Sequence, residues 1–283
     1  MYGLALDASA DALADAGRDG EDVDLVLAAT LTPDRVSPAL AAELSARQGT
    51  RKVGAVDLNA ACTGFMYALD YAHVAVESGR YRCVVVCGAD AVFRITDMTD
   101  RSTGPLFGDA AGAVVVTADE DCGHGRCRPV SRLGSDRNLG HILHILHIEH
   151  ADRLVRMDGP AVFEAALEAM AEGCRDVCLQ RGLAVEDVDL FVTHQANARI
   201  ISALVRELDV PMDRVVVTVD EVGNTSSSSI PVALTRAQRD GRLVPGATVA
   251  LTAFGAGLTW GAAIVDWKGC VHAVGADTPG SPA

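Results

Sequence analysis

No run of apolar residues in the 283-residue chain reaches the length of a membrane span, and no basic segment with an apolar core opens it. The expectation is therefore a soluble, cytoplasmic protein rather than an integral membrane or secreted one. Positive charge is scarce: 24 Lys and Arg stand against 38 Asp and Glu, a net charge of −14. That argues against nucleic acid or an anionic membrane as the main partner, and an acidic partner needs a local basic patch. No short-period repeat is visible, which argues against solenoids and propellers. A chain of this length has no need of disulfide staples, and its eight cysteines fall in apolar segments as often as in loops. That usage fits a reducing compartment.

What the chain has is apolar residues, 49% of the total, enough for the core of one large or two ordinary domains. The periodicity predicts a helix over 4–16, a strand over 23–29, a helix over 38–48, a strand over 53–58 and a helix over 63–78. Strands follow at 83–87 and 113–117, the latter after a Gly-rich turn at 108–112, and residues 118–156 read as irregular. Beyond lie a helix over 161–181, a strand over 188–193, a helix over 196–208, a strand over 214–219 and a helix over 229–240. Two strands, 247–253 and 258–265, are joined by Phe254-Gly255-Ala256-Gly257. Strands and helices alternate, and the pattern runs twice, each time ending on two successive strands. Two related α/β halves with mostly parallel sheets are expected, over 1–120 and 121–267, with a frayed tail at 268–283.

Asp57–Phe65 stands at a strand-to-helix junction, with Cys62 where the helix begins. Orphan N–H groups and the positive end of a helix dipole stabilise a thiolate, so a lowered thiol pKa is expected. Thr193-His194-Gln195-Ala196-Asn197 follows a second strand, and Gly223-Asn224 with its run of small hydroxyl residues follows a third. Ligands bind at such strand ends in open α/β sheets. Alone, each has a plain structural reading: an inert core Cys, a capping His, a turn with an N-cap. Together they supply a nucleophile and two donors for a thioester oxygen, and the turn at Phe254–Gly257 offers a further backbone N–H.

In order and spacing, several motifs resemble β-ketoacyl-acyl-carrier-protein synthase III enzymes of the thiolase fold. They are Ala-Ala-Cys62-Thr-Gly-Phe, Asp100-Arg101-Ser-Thr with Phe107-Gly-Asp109, His194-Gln-Ala-Asn197, Gly223-Asn224-Thr-Ser and Phe254-Gly-Ala-Gly-Leu-Thr-Trp-Gly261. The resemblance runs from about Gly3 to Trp267 and implies a layered αβαβα architecture. It implies that Cys62 takes an acyl group from a CoA thioester. His194 and Asn224 would bind the carbonyl of malonyl-acyl-carrier protein and stabilise the enolate left by loss of CO₂. The N–H groups of Cys62 and Ala256 would form the oxyanion hole. Arg101, Phe163, Ala196, Asn197, Arg199 and Phe254 would line the substrate channel, and Arg199 with Arg206 would dock the carrier protein. No cofactor or metal is implied, and a homodimer is.

Three departures from the family pattern stand out. About fifty residues that precede Gly3 in the family are absent, including a strand expected at the centre of the N-terminal sheet, so that half is expected to be incomplete. Ala256 stands where the family has Gly, and is tolerable where φ is negative. Glu164 occupies a position that is often basic. His141, His144, His147 and His150 recur every third residue, a spacing that shares a helix face and suits zinc, and that slippage of the coding sequence also produces. Cys122, His124 and Cys127 are ligand types in a loop. The alternatives to condensation are acyl transfer to a small nucleophile on the same scaffold and an inactive paralogue.

Overall fold

The computed structural model describes residues 1–101, 103–118, 130–145 and 154–268. The first sheet has strand order β2-β1-β3-β4, from β1 (Leu25–Ala29), β2 (Gly54–Leu58), β3 (Cys83–Ala91) and β4 (Asp109–Thr117). β1, β2 and β3 run parallel and β4 antiparallel. The second sheet contains β5 (Val130–Ser135), β8 (Leu190–Thr193), β9 (Val215–Val216), β10 (Thr248–Gly255) and β11 (Thr259–Asp266), in the order β5-β11-β10-β8-β9. A small antiparallel pair, β6 (Leu143–Ile145) and β7 (Val155–Met157), stands apart.

The two sheets share one topology. β1, β2, β3 and β4 correspond to β8, β9, β10 and β11, and the second sheet adds β5 outside β11. The helices are α1 (Tyr2–Asp15), α2 (Leu40–Arg47), α3 (Gly64–Glu77), α4 (Gly159–Arg181), α5 (Ala198–Glu207), the single turn α6 (Val219–Val222) and α7 (Ser229–Arg239). Side chains alternate across a strand, and the alternation builds the layers. Leu27 and Val86 of the first sheet, and Val192 and Leu251 of the second, face a common core with Phe65 and Leu69 of α3 and Ile230 and Leu234 of α7. Val26, Val85 and Cys87 face outward under α1 and α2. Phe191, Ala250 and Ile264 face outward under α4 and α5. The result is the five-layered αβαβα arrangement.

Several segments differ from their expected form. β1 and β3 pair directly, Leu25 opposite Val84, so there is no gap at the centre of the first sheet. The strand that the second sheet has in addition, β5, lies at its edge, so the expectation of a missing central strand is wrong. The expected turn at 108–112 is mostly strand: β4 starts at Asp109, opposite Ala91. Gly112 serves close packing there, since a Cβ on it would stand 2.9 Å from Pro231 Cβ. The expected irregular stretch contains β5, β6 and β7. The strand expected over 214–219 shrinks to two residues, because the N–H groups of Thr218 and Val219 go to the Gln195 side chain instead of a ladder.

His144 lies in a strand and its Nδ1 faces the carbonyl of His141, so these two histidines do not share the helix face that their spacing would allow. His147, His150, Cys122, His124, Cys127 and the tail from 269 lie outside the described residues. Among the described residues no three His, Cys, Asp or Glu side chains gather to hold a metal ion, and no helix is long and apolar enough to cross a membrane.

The halves clasp each other through equivalent features. A Cβ on Gly255, at the end of β10, would meet the N of Cys62 at 2.9 Å, ahead of α3. A Cβ on Gly88, near the end of β3, would meet the carbonyl O of Ser227 at 2.4 Å, ahead of α7. Gly88→Ala is therefore expected to overpack this joint and destabilise the protein by ~1–3 kcal/mol. The effect is read as a lower urea midpoint at unchanged slope; an unchanged midpoint would contradict the close approach.

Candidate active site

Cys62 follows β2 in a tight 3₁₀ turn, Ala61–Thr63, that leads into α3. Ala61 before it has φ +47°, a left-handed conformation that costs a non-glycine residue ~1–3 kcal/mol and persists where its surroundings hold it. The holding is visible. The end of β10 presses on the backbone of Cys62, and the Thr63 and Thr259 hydroxyls meet at 2.7 Å. Thr259 Oγ1 also lies 3.1 Å from the carbonyl of Ala256, which ties the turn after β10 to the base of α3. Among the described non-glycine residues only Ala61, Asp209 and Ser226 have positive φ, so Ala256 sits in ordinary backbone and keeps its N–H.

The thiol pKa does not fall as expected. Burial pushes it up to about 11, the Ser226 hydroxyl opposes the rise, and the nearby Asp90 carboxylate adds to it. At neutral pH the Cys62 sulfur therefore keeps its proton.

His194 stands at the end of β8 and is 2% exposed. Its backbone N–H donates to the carbonyl of Thr252 at 2.7 Å, and ring Nδ1 lies 2.6 Å from Ser229 Oγ. Burial lowers its pKa to about 4, so the ring is neutral near pH 7. The Gln195 amide donates to the carbonyls of Thr193 and Val216 and accepts from the N–H groups of Thr218 and Val219, joining the ends of β8 and β9.

Asn224 is stitched to the loop before β4. Its N–H donates to the carbonyl of Leu106 at 2.8 Å, and its carbonyl accepts from the N–H of Gly108 at 3.0 Å. The side-chain Oδ1 accepts from the N–H of Ser226 at 2.9 Å, which fixes the amide and turns Nδ2 to other partners. Ser226 has φ +55°, the second strained residue of the site.

Cys62, His194 and Asn224 therefore meet on one segment, 224–229. Ser226 lies beside the sulfur, Ser226 holds the Asn224 amide, and Ser229 holds the imidazole. Other expected residues lie around this centre. Phe254 is buried in β10, in the cluster where Phe163 and Ala196 are partly buried. Asn197 caps α5, its side chain accepting from the N–H of Arg199 at 2.8 Å. Phe163, Arg199 and Arg206 line a surface cavity of about 420 Å³ with Ala198 and Ser202. Arg101 is exposed on the loop that leads to Leu106–Gly108, and Glu164 is exposed on α4. Sequence reasoning missed Asp90, Ser226, Ser229 and Gln195. An acid closing the apolar run Cys83–Ala89 was a usable signal for Asp90; the serine run masked which hydroxyl does what.

A duplicated five-layer fold with a thiol, a neutral imidazole and a carboxamide at its strand ends defines a thiolase-fold condensing enzyme. The comparisons with known proteins narrow the class. Residues 56–133 match the family model "3-Oxoacyl-[acyl-carrier-protein (ACP)] synthase III", and residues 178–267 match the model of its C-terminal part. The β-ketoacyl-[acyl-carrier-protein] synthase III of Bordetella petrii is 43% identical over 266 residues, 92% of this chain and 80% of that protein. The crystal structure of the corresponding enzyme of Pseudomonas aeruginosa superposes with a TM-score of 0.89 at 40% identity, covering 96% of this chain and 84% of that one. A priming β-ketosynthase of a polyketide biosynthetic pathway superposes with a TM-score of 0.86 at 36% identity, covering 94% of this chain and 81% of its own. The chain belongs to the β-ketoacyl-acyl-carrier-protein synthase III family.

The raised thiol pKa has a direct readout. Alkylation of Cys62 by iodoacetamide, followed by peptide mapping, is expected to accelerate about tenfold per pH unit from pH 7 and to level off only near pH 11. A plateau near pH 7 would show a preformed thiolate instead.

Proposed function

We propose that the protein condenses an acyl-CoA starter with malonyl-acyl-carrier protein by loss of CO₂, beginning a fatty acid or polyketide chain. The observation that carries this reading is the convergence of Cys62, His194 and Asn224 on the segment 224–229. Cys62 attacks the CoA thioester; its proton leaves with the CoA thiolate, and an acyl-Cys62 thioester remains. A neutral His194 with Ser229 O–H donating to Nδ1 carries its proton on Nε2. That N–H and Asn224 Nδ2 donate to the thioester carbonyl of the malonyl group.

Loss of CO₂ leaves an enolate that these two donors stabilise without transferring a proton. The carbanion attacks acyl-Cys62, the N–H groups of Cys62 and Ala256 hold the oxyanion, and collapse expels the Cys62 thiolate, which takes a proton from solvent to regain the resting thiol. The products are a 3-oxoacyl-carrier protein and free enzyme. An imidazole that stays neutral down to about pH 4 suits this role, since it remains a donor without accepting a second proton.

Arg101, Phe163, Ala196, Asn197, Arg199 and Phe254 are assigned to the CoA and pantetheine path. Arg199 and Arg206, exposed beside the cavity on α5, supply the local basic patch that an acidic carrier protein needs. The enzyme is proposed to work as a cytoplasmic homodimer without cofactor or metal. The family relation favours condensation over plain acyl transfer, which needs no extender donors.

Asn224→Ala is expected to slow CO₂ release from malonyl-carrier protein by about a hundredfold or more, while Cys62 is still acylated by acyl-CoA within a few-fold of the normal rate. Loss of acylation together with CO₂ release would contradict the assignment. Reversing Arg199 and Arg206 to Glu together is expected to raise KM for the carrier protein about tenfold with little change in kcat.

A further inference from the structure

Asp90, the penultimate residue of β3, has no exposed surface, and nothing in the reaction just described uses it. Its Oδ1 accepts from Leu31 N–H at 2.8 Å, Thr32 N–H at 3.2 Å, Thr32 Oγ1 at 3.0 Å and Thr30 Oγ1 at 3.2 Å. Its Oδ2 accepts from Ser227 N–H at 3.0 Å and lies 2.7 Å from Ser227 Oγ, whose one proton is shared between this oxygen and the carbonyl of Ala29 at 2.8 Å. One carboxyl group thus joins the loop after β1 to the turn between the two halves. A buried carboxyl is retained only with such partners.

The turn it grips is the one that carries the site. Ser226 is the left-handed residue, and its two flanking N–H groups are both taken by side chains. Asn224 Oδ1 accepts from Ser226 N–H, and Asp90 Oδ2 accepts from Ser227 N–H. The equivalent joint in the other half, Gly255 against Cys62, is held by close packing and by the Thr259 hydroxyl, which reaches Thr63 Oγ1 at 2.7 Å and the carbonyl of Ala60 at 3.3 Å.

We propose that Asp90 is a positioning residue for the extender half of the reaction: by clamping the turn at Ser226 it orients the Asn224 amide, with a smaller effect on acyl transfer to Cys62, since its hydrogen bonds go to Ser227 and to residues 30–32 and not to the sulfur. This rests on the condensing function proposed above. Asp90→Asn is the matching variant. It keeps the shape, but its NH₂ group must face N–H donors along one edge or the other, and the clamp opens on that side.

The test measures the half-reactions separately. Radiolabelled acyl-CoA reports acylation of Cys62, and single-turnover CO₂ release from malonyl-carrier protein on pre-acylated enzyme reports the extender step. In Asp90→Asn the extender step is expected to slow about ten- to a hundredfold and acylation by less than about threefold. In an Asn224→Ala background, Asp90→Asn should slow the extender step by less than about threefold more, because both changes act through one amide. A parallel loss of both half-reactions, no loss in either, or full additivity with Asn224→Ala would overturn the proposal.

If Asp90→Asn does not fold, Ser227→Ala decides. It removes one hydroxyl, with its contacts to Asp90 and to the carbonyl of Ala29, keeps the carboxyl group, and is expected to slow the extender step about three- to tenfold; no slowing would overturn the clamp. Amide hydrogen exchange over 223–229 is the readout independent of activity. In Asp90→Asn, or in Ser227→Ala where it alone folds, it should quicken about tenfold or more there and not along β10, and unchanged exchange would count against the clamp. Wild-type enzyme that neither acylates nor releases CO₂ would defeat the condensing function, with the exchange result still deciding the clamp.

Discussion

The short turn from Asn224 to Ser229 is the constraint on which the rest of the site depends. It is buried, it contains a left-handed serine, and it touches the sulfur, the imidazole and the carboxamide at once. A strained turn of this kind is stable only where neighbours fix it from several sides. Here they do: Leu106 and Gly108 hold Asn224, Asp90 holds Ser227, and the carbonyl of Thr225 accepts from the Ser228 hydroxyl. The geometry for chemistry is thus prepared before any substrate arrives.

Burial does a second job at this centre. It keeps both ionisable partners neutral, with the Cys62 thiol pushed up and the His194 imidazole pushed down. An ion pair between them is therefore not the resting state near neutral pH. In the proposed reaction, activation of the sulfur falls to the encounter with substrate, where a departing CoA thiolate can take the proton. The same dryness strengthens every hydrogen bond aimed at a developing enolate.

Much of this was legible from residues. The periodicity located most helices and strands, and the doubled pattern announced two similar halves. Cys62, His194 and Asn224 stood out because each follows a strand and begins or approaches a helix. Features that depend on a partner distant in the chain were not legible. Gly112 looks like a turn residue until Pro231 is seen above it, and β5 has too weak an alternation to be read as a strand without β11 beside it. The lowered thiol pKa was the wrong expectation for a related reason: the dipole is local and visible in sequence, whereas desolvation by the opposite half is not. The order of the first sheet was misjudged because sequence does not say which neighbours a strand chooses.

The duplicated architecture has a consequence for how the chain can be divided. Each half carries its own sheet and its own outer helices, so each looks self-sufficient. Yet the sulfur comes from one and its two companion groups from the other, and α3 and α7 share a single greasy middle layer. A gene broken in the segment between β4 and β5 would encode two pieces, each exposing the face that its sibling normally covers. Neither would hold all three of Cys62, His194 and Asn224, and on the proposed mechanism the two would have to find each other before any turnover began. The repeated fold makes its halves companions around one core, not interchangeable modules.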